Sequence, residues 1–414
     1  MSTTAIVVVG AGQATAEMVT AMRHGGYTGR IQVIGAEPFL PYQRPPLSKA
    51  YLSGEMTTEN LRLRAPATYE KAGVEFLLDT RVEKIDRPRK HVLLSNGRNL
   101  PYKRLVLNVG GYARPLSFEG APHPSRLSNF HYVRTIADID RLRGQFTHGA
   151  RLVIIGGGYI GLEVAAVAVK MALRVTVLES APRVLARVTV PELSAFYERT
   201  HRTAGVDVRT DTIIDRVELD SNGQAIESIL CRDGRRVEAD LVVAGVGLLP
   251  HIELATDAGL AVDNGIVVDE FCRTSDPDIF SAGDCTNHPN LFYGRRVRLE
   301  SVPNAIEQGR TVAATLCGQQ RPYASVPWFW SDQYALKLQM VGLSQGHDQL
   351  IVRGSMDTNS FAIFYLQAGH VIAADAVQRP QEFMVAKRLI AERIPPDPVK
   401  LANDAVPIKT LLQA

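Results

Sequence analysis

Short apolar runs alternate with helical patterns over the first three quarters of the chain. Each run is rich in Val, Ile and Leu at consecutive positions, as expected for strands buried on both faces of a parallel sheet. The clearest runs are residues 5–9, 31–34, 152–155, 175–178 and 241–246. The pattern then changes to period-two alternation, followed by a helix at 382–394, with strands predicted at 337–341, 349–353, 360–366 and 370–377. Hydrophobic patterning therefore predicts parallel α/β units followed by an antiparallel α+β unit.

The most regular of these units covers residues 151–180. Its first strand leads directly into Gly156, Gly158 and Gly161, which have the G-x-G-x-x-G spacing. These glycines permit, in turn, a tight turn, a close approach of a pyrophosphate and close packing of helix on strand. Glu179 ends the second strand, where an acidic side chain binds a ribose 2′-hydroxyl. The unit predicts a dinucleotide site.

A second unit of the same kind begins the chain. Gly10 and Gly12 follow the first apolar run, and Glu37 lies just beyond the next strand. Thr15 occupies the third glycine position, so the alternative of an ordinary turn without ligand stays open for this loop. Two dinucleotide units roughly 145 residues apart in one enzyme usually bind FAD and NAD(P)H.

Changes in local composition divide the chain. Residues 112–127 are rich in Pro, Gly and Ser, and residues 245–250 read GVGLLP. Such segments mark crossings between domains. The predicted fold is α/β, with two Rossmann-like domains, the first discontinuous and the second inserted into it, plus a C-terminal antiparallel α+β domain. The predicted domain limits are 1–114 with 245–326, then 115–244, then 327–414.

Two local predictions concern the segments between these units. Pro45 and Pro46 are expected to prevent a helix until near Leu47, which would place Lys49 in a first helical turn. Residues 206–217 are expected to form one strand. Taken alone, Lys49 reads as a solvated lysine, and Asp284 in IFSAGD reads as a turn residue more readily than as a ligand-binding carboxylate.

Composition narrows the class of protein. The 414 residues carry a formal net charge of only +3, which gives no support for binding nucleic acid. The four cysteines are widely spaced without a CxxC pair, which fits a reducing compartment and no metal site. The sequence has neither a signal-peptide pattern nor an apolar run long enough to span a membrane. We therefore expect a cytoplasmic protein without membrane contact.

Several longer motifs resemble one family, the bacterial FAD-dependent NADH–ferredoxin reductases that serve Rieske dioxygenases and haem-thiolate monooxygenases. The resemblance covers essentially the whole chain. It is carried, in order, by PPLSKAYL (45–52), GGGYIGLEVAA (156–166), VLESAPRVLARV (177–188), TSDPDIFSAGDC (274–285), ESVPNAIEQGR (300–310) and PWFWSDQY (327–334).

The resemblance implies that the discontinuous domain binds FAD. It places the pyrophosphate on the first glycine loop, the adenosine ribose on Glu37 and the flavin ring beside Lys49. The implied FAD-binding residues are Gly10, Gly12, Thr15, Glu37, Arg44, Lys49, Val82, Asp284, Val302 and Trp330.

The inserted domain is implied to bind NADH, with Tyr159 and Glu163 flanking the nicotinamide. Lys49 and Glu163 are the implied catalytic pair, which would also link the two domains. Because a carboxylate at Glu179 repels a 2′-phosphate, we expect NADH to be preferred over NADPH, although Arg183 and Arg187 lie nearby in sequence. The implied NADH-binding residues are Gly156, Gly158, Tyr159, Gly161, Glu163, Glu179 and Gly247.

The implied activity is hydride transfer from NADH to the flavin, then single-electron transfer to a [2Fe–2S] ferredoxin that feeds an oxygenase. Such a ferredoxin is normally acidic, so a basic docking face is expected. Each candidate is otherwise an ordinary surface charge, and the protein is expected to be a monomer or weak homodimer. The candidates are Arg295, Arg296, Arg298, Arg310 and Lys337, with Arg62 and Arg64 as further ones.

Two departures from the family pattern concern FAD. Thr15 replaces a small residue, and Asn108-Val109-Gly110 replaces Ala-Thr-Gly, so weaker binding of FAD than is typical is expected. One alternative is a disulfide or peroxide reductase, which needs a redox cysteine that residues 38–60 do not contain. The other is a non-enzymatic flavoprotein that senses NADH.

Overall fold

The computed structural model describes residues 5–412, so the predicted outer limits at residues 1 and 414 lie outside it. Its first sheet has a parallel core extended by an antiparallel hairpin. The long central strand pairs with the first strand of the chain, and its two halves pair with the hairpin and with a late strand. The strands, in spatial order, are Val74–Leu77, Ile31–Ile34, Ala5–Val9, Asn99–Leu107, His91–Leu94 and Val82–Asp86, with Ile279–Ser281 also on Asn99–Leu107.

Two long helices cover one face of this sheet, Gln13–His24 and Val302–Leu316. They approach closely because Gly309 has no side chain: a Cβ there would lie 2.6 Å from the carbonyl oxygen of Ala14. The apolar core between helices and sheet includes Met18 and Val312. Strands that come early and late in the chain therefore share one sheet.

The second sheet lies between those early and late strands in sequence, and all its strands are parallel. Helices Ile136–Arg143, Tyr159–Lys170 and Pro191–Thr203 belong to this unit. A smaller antiparallel sheet, Ile214–Leu219, Ile226–Cys231 and Arg236–Glu238, lies in sequence before the parallel strand Leu241–Ala244. The parallel strands are Asp207–Arg209, Arg174–Leu178, Arg151–Ile155, Leu241–Ala244 and Phe130–Tyr132.

The prediction of one strand over 206–217 is wrong. Asp207–Arg209 joins the parallel sheet, whereas Ile214–Leu219 joins the antiparallel one. Between them the backbone turns at Asp211, whose φ is +49°. Apolar residues on both sides of the turn continue one pattern, so the sequence did not reveal the change of sheet.

A two-stranded antiparallel ribbon joins the two parallel sheets. Gly111–Ala113 runs antiparallel to Leu248–Pro250, close to both predicted crossings. A Cβ at Gly111 would lie 2.4 Å from the carbonyl oxygen of Leu249, so the two connections pack tightly. The domain limits themselves stay a prediction.

The C-terminal part is a five-stranded antiparallel sheet with helix Pro380–Glu392 packed on it. The predicted fold class is confirmed: two parallel-sheet units, the second inserted into the first, precede an antiparallel α+β unit. Among residues 5–412, no helix is long and apolar enough to cross a membrane. The strands, in spatial order, are Trp328–Gln333, Leu336–Gly342, His370–Val377, Ser360–Gln367 and Gln349–Ser355.

The remaining elements are short and connect these units. They are the strands Ile266–Val267, Thr286–Asn290 and Arg295–Val297, the helices Thr58–Leu61, Pro66–Lys71, Glu253–Asp257 and Pro398–Ala402, and the 3₁₀ turns Pro45–Ser48, Pro124–Arg126 and Ile408–Leu412.

Candidate functional site

One continuous cavity of about 1840 Å³ touches all three units. Its walls include the loops that follow the carboxyl ends of strands in both parallel sheets, which is where open α/β sheets bind ligands. Both predicted glycine loops line it, and so do residues of the C-terminal sheet. The two dinucleotide sites predicted from the sequence therefore open into the same space.

The first glycine loop fits a pyrophosphate. Gly10 has a φ of +105°, and a Cβ there would lie 2.2 Å from the Asn108 carbonyl oxygen, so only glycine is accommodated. Gly12 precedes helix Gln13–His24, and no side chain caps its free N–H groups. A Cβ at Gly12 would meet nothing within 4 Å, which leaves room for an anion at the positive end of the helix.

Thr15 does not line this cavity. Its side chain is fully buried behind the loop, where Oγ1 donates a hydrogen bond to the carbonyl of Gly10 at 2.6 Å. The Thr15 side chain therefore supports the loop from behind, and its assignment as an FAD-binding residue stays a prediction. Its position follows from the helical register, which turns this residue toward the sheet.

Glu37 lies beyond the second strand and lines the cavity. Its carboxylate accepts hydrogen bonds from the Tyr42 hydroxyl at 2.6 Å and from the Arg44 guanidinium at 2.7 Å. Arg44 also donates to the backbone carbonyl of Arg134 at 2.6 Å. Arg134 in turn pairs with Asp284 at 3.3 Å. Two predicted carboxylates are thus held by arginines at the cavity wall.

Three of the other predicted FAD residues also line the cavity, namely Asp284, Val302 and Trp330. Val302 is the first residue of helix Val302–Leu316, so that helix also directs its N-terminus to the cavity. Val82 does not line it: its side chain packs in the apolar core of the first unit. The neighbouring Arg81 lines the wall instead, and the role of Val82 in binding FAD stays a prediction.

The second glycine loop repeats this geometry. Gly156 has a φ of +106°, and Gly158 precedes a helix whose N-terminus has no side-chain cap. A Cβ at Gly161 would lie 2.2 Å from the carbonyl oxygen of Gly156, so Gly161 serves close packing beneath the loop. Gly247, at a φ of +106°, forms the facing wall near Arg187.

Glu179 is anchored beside this loop. Its Oε2 accepts from the Gly157 N–H at 2.6 Å and its Oε1 from the Ala181 N–H at 2.7 Å. Arg183 is held by the Ser194 hydroxyl and the backbone of Ala186, whereas Arg187 is exposed at the cavity. Of the two nearby arginines, Arg187 is thus the freer to approach a phosphate.

Lys49 and Glu163 form an ion pair of 2.6 Å at the junction of the units. Glu163 is buried on helix Tyr159–Lys170, and its Oε2 also accepts from the Ser48 hydroxyl at 2.5 Å. The prediction that the prolines exclude a helix is wrong, since a 3₁₀ turn covers Pro45–Ser48 and presents Lys49 at its end. Proline is accommodated in a first turn because the N–H it lacks is not needed there.

Tyr159 stands next to this pair. It lines the cavity, its ring lies 5.2 Å from that of Phe329, and its hydroxyl donates to the sulfur of Met340 at 2.7 Å. Burial raises the pKa of the Tyr159 phenol well above its ordinary value, so the hydroxyl is neutral. Aromatic side chains from two units thus form one wall beside Lys49 and Glu163.

The arginines predicted to contact ferredoxin differ in exposure and in the partners they have within the protein. Arg298 is only 13% exposed, pairs with Glu300 at 2.8 Å and donates to the Asp284 carbonyl at 3.3 Å. Arg296 donates to the backbone of Val268 at 2.6 Å. These contacts restrain both side chains, although Arg296 stays exposed, and ferredoxin docking by either residue stays a prediction.

The other predicted basic residues remain at the surface. Arg295 and Lys337 are exposed, and Arg295 also lines the cavity. Arg310 is 42% exposed but is paired with Glu17 at 2.7 Å and Glu307 at 2.8 Å. Arg62 and Arg64 are exposed too, with Arg64 3.5 Å from Glu17.

Sequence reasoning missed residues that line or support the site, among them Ser48, Ser331, Arg134 and His201, of which Ser48 and Arg134 line the cavity. Ser48 and Ser331 lie inside the quoted motifs PPLSKAYL and PWFWSDQY, so their position gave a usable signal. Arg134 and His201 lie in segments without any motif. They acquire partners only because remote segments fold against them.

Comparison with known proteins identifies the family. The model of the pyridine nucleotide-disulphide oxidoreductases matches residues 4–309, and that of the reductase C-terminal domain matches residues 328–412. The chain belongs to the pyridine nucleotide-disulphide oxidoreductase family.

Individual relatives agree along the full length. The chain is 49% identical to putidaredoxin reductase CamA of Pseudomonas putida, covering 99% of this chain and 97% of that one. It resembles the reductase in the covalent putidaredoxin reductase–putidaredoxin complex, with a TM-score of 0.95, 48% identity and coverage of 99% and 98%. The ferredoxin reductase for the CYP199A2 system from Rhodopseudomonas palustris gives a TM-score of 0.93, with 37% identity and coverage of 98% and 99%. The predicted resemblance, the oxidoreductase class and the cofactors FAD and NAD(H) are confirmed.

Proposed function

We propose that this protein is an FAD-dependent NADH–ferredoxin reductase. The observation that carries the proposal is the single cavity in which two glycine loops meet, with the Lys49–Glu163 pair between them. Bound FAD supplies the chemistry by accepting a hydride from NADH and releasing electrons one at a time. That chemistry requires the two nucleotides to share one space, which the cavity provides.

The protein's own residues would bind and orient the two nucleotides. The loop of Gly10 and Gly12 would hold the FAD pyrophosphate, and that of Gly156 and Gly158 the NADH pyrophosphate. Glu37 and Glu179 would each accept from ribose hydroxyls, since both residues follow the second strand of their unit and line the cavity. We propose the domain limits 1–114 with 245–326, 115–244 and 327–414 on the same basis.

Lys49 and Glu163 would set the local charge. Their 2.6 Å contact joins the first unit to the inserted one, so it fixes the distance between the two binding loops. Tyr159 and Trp330 supply aromatic surface to the wall of the same cavity. The Lys49 ammonium is available to stabilise negative charge in the cavity, and no side-chain nucleophile is needed.

The partner that we propose is an acidic [2Fe–2S] ferredoxin, which would pass electrons to an oxygenase. A relative with 48% identity has been solved in a covalent complex with putidaredoxin. The exposed basic residues Arg295, Arg310 and Lys337 would meet the acidic surface. We further propose a cytoplasmic location, which the four free cysteine thiols support, and a monomer or weak homodimer.

A disulfide or peroxide reductase is disfavoured by the cysteines. Within residues 5–412, the cavity lining includes none of the four. Burial raises the pKa of each thiol, so the nucleophilic thiolate is suppressed. A non-enzymatic NADH sensor needs no redox partner, so it is separated from the reductase by turnover.

Steady-state reduction of cytochrome c by NADH, with and without an added [2Fe–2S] ferredoxin, tests the proposal. A reductase gives slow reduction alone and a large increase with ferredoxin. Binding of NADH without ferredoxin-dependent turnover would instead support the sensor, and NADH-dependent reduction of a disulfide or peroxide would support the rival reductase.

A further inference from the structure

A buried chain of hydrogen bonds runs from Glu163 to the protein surface. Ser331 Oγ donates to Glu163 Oε1 at 2.6 Å, and Gln333 Nε2 donates to Ser331 Oγ at 3.2 Å. Gln333 Oε1 lies 2.8 Å from His201 Nε2, and His201 Nδ1 lies 3.0 Å from the Tyr334 hydroxyl. The first four members are at most 2% exposed, whereas Tyr334 is 40% exposed. This series of hydrogen bonds therefore links the buried Glu163 carboxylate to solvent.

The donor and the acceptor of each hydrogen bond in this series follow from the Glu163 carboxylate. Because Glu163 accepts only, the Ser331 hydroxyl must donate to it and can then only accept. The amide of Gln333 therefore turns its NH₂ to Ser331 and its oxygen to His201. That oxygen needs a donor, so His201 carries its proton on Nε2 and accepts at Nδ1 from Tyr334. Burial lowers the pKa of His201 to about 4, consistent with a neutral ring.

The two oxygens of Glu163 are thereby divided between different units. Oε2 is held by Ser48 and Lys49 of the first unit. Oε1 is held by Ser331, on strand Trp328–Gln333 of the C-terminal sheet. The carboxylate is fixed from both sides, which a single ion pair does not achieve.

The surface end of the chain has an unusual backbone. Tyr334 lies at the turn between strands Trp328–Gln333 and Leu336–Gly342, with a φ of +55°. This left-handed conformation is unfavourable for a bulky side chain. Here it accompanies a contact between the Tyr334 hydroxyl and His201, and the two rings lie 5.0 Å apart. Strain of this kind persists only where surrounding contacts determine it.

We propose that His201 is a positioning residue for Glu163 and acts through Gln333 and Ser331. The proposal rests on the proposed function, in which Glu163 flanks the nicotinamide. An apolar side chain at His201 leaves the Gln333 oxygen without its donor, so the amide is free to turn and Ser331 loses its partner. Glu163 Oε1 is then held less firmly, and the carboxylate, still bound through Oε2 to Ser48 and Lys49, is free to rotate.

The test compares His201→Leu with His201→Gln in the FAD-loaded protein. The glutamine amide places a donor near the position of Nε2, whereas leucine supplies none. We expect His201→Leu to weaken binding of NAD⁺ in calorimetry and lower kcat for NADH–ferricyanide turnover, each by roughly 10-fold, the order expected for a lost buried hydrogen bond. His201→Gln should stay within about two-fold of the wild type. Ser331→Ala should reproduce the leucine effect.

A Glu163→Gln background separates positioning from folding. If His201 acts on Glu163, His201→Leu adds little to the loss that Glu163→Gln already causes. Equal losses in both backgrounds, or a His201→Gln variant as impaired as His201→Leu, would overturn the proposal. ¹⁵N NMR of the histidine rings gives an independent measurement: the proposal expects His201 to be protonated at Nε2 only. Protonation at Nδ1 would contradict it even where ferricyanide turnover is normal.

Discussion

Asn108 and Thr15 form a buried hydrogen bond between two segments 93 residues apart in sequence, with Asn108 Nδ2 3.0 Å from Thr15 Oγ1. The Thr15 hydroxyl donates its single proton to the carbonyl of Gly10, so its other hydrogen-bond partner has to be a donor. An asparagine amide meets that requirement. The two departures from the family pattern near FAD thus act as one unit behind the glycine loop.

The pair makes the effects of substitution unequal. Thr15→Ala leaves the buried Asn108 amide unpaired and releases the Gly10 carbonyl, so we expect FAD affinity to fall by about 10-fold. Asn108→Ala keeps the bond to Gly10 and should cost less. The double variant should be no worse than Thr15→Ala. Titration of the apoprotein with FAD, followed by flavin fluorescence, measures all three.

Losses of FAD affinity that simply add in the double variant would show that the two side chains act independently.

The expectation that FAD binds more weakly than is typical stays a prediction. The Thr15–Asn108 hydrogen bond weakens the argument for that expectation, because the polar groups of Thr15 have partners that the sequence did not reveal. Flavin lost from the purified protein on dialysis is the direct measurement.

The preference for NADH depends on Glu179. Replacing it by glutamine removes the charge that repels a 2′-phosphate and keeps one amide oxygen, which accepts from the N–H of either Gly157 or Ala181 but not from both. We expect kcat/KM for NADPH to rise and the ratio between the two coenzymes to narrow by at least about 10-fold. Adding Arg187→Ala should then lower NADPH use again. A wild-type enzyme that already prefers NADPH would contradict the assignment.

Ferredoxin docking is tested at Arg310. Charge reversal, Arg310→Glu, should raise KM for ferredoxin by roughly 10-fold, because like charges would then face the acidic partner. NADH–ferricyanide turnover should be unchanged, and the KM effect should shrink at high salt. Arg89→Glu is a matched control at an 83% exposed side chain. If both activities of the Arg310 variant fall together, its contacts with Glu17 and Glu307 serve the fold instead.

Acid should destabilise the protein through two buried histidines. Burial lowers the pKa of His201 and of His288 to about 4, whereas the unfolded chain binds protons from about 6.5. The unfolded state therefore takes up more protons between these values, and stability falls as the pH drops from 6.5 to 4. The loss is on the order of 3 kcal/mol for each histidine. His201→Gln should reduce the fall in Tm between pH 6.5 and 5, and an unchanged fall would contradict this.

Asp375 should act in the opposite direction. Burial raises the pKa of Asp375 to about 6. Hydrogen bonds from Tyr365 at 2.5 Å and Thr189 at 2.7 Å lower the pKa, but burial has the larger effect. The folded state keeps the proton that the unfolded state loses near pH 3.8, so this contribution to stability disappears as the pH rises to 6. Asp375→Asn should raise Tm at pH 7.5 and have little effect at pH 4.5. Equal shifts at both pH values would exclude titration of Asp375 as the cause.

Much of the architecture was readable from local patterns. Buried strands, glycine loops and terminal acids lie within about 30 residues of each other in each dinucleotide unit, so spacing alone predicted them. The strand expected at 206–217 failed because an apolar pattern carries no information about which sheet a strand joins. The 3₁₀ turn at Pro45–Ser48 was missed because proline was treated as excluding a helix rather than starting one.

The sequence by itself determined the two dinucleotide units, their order and the chemical types of their ligands, because these depend on neighbouring residues and backbone geometry. Only the tertiary structure decided which polar side chains meet. Thr15 with Asn108, and His201 with Gln333, are joined across 93 and 132 residues. Arg298 looked like a surface charge until its burial and its hydrogen bond to the Asp284 carbonyl were known. Partners of this kind follow from how remote segments pack against one another, and no local pattern encodes that packing.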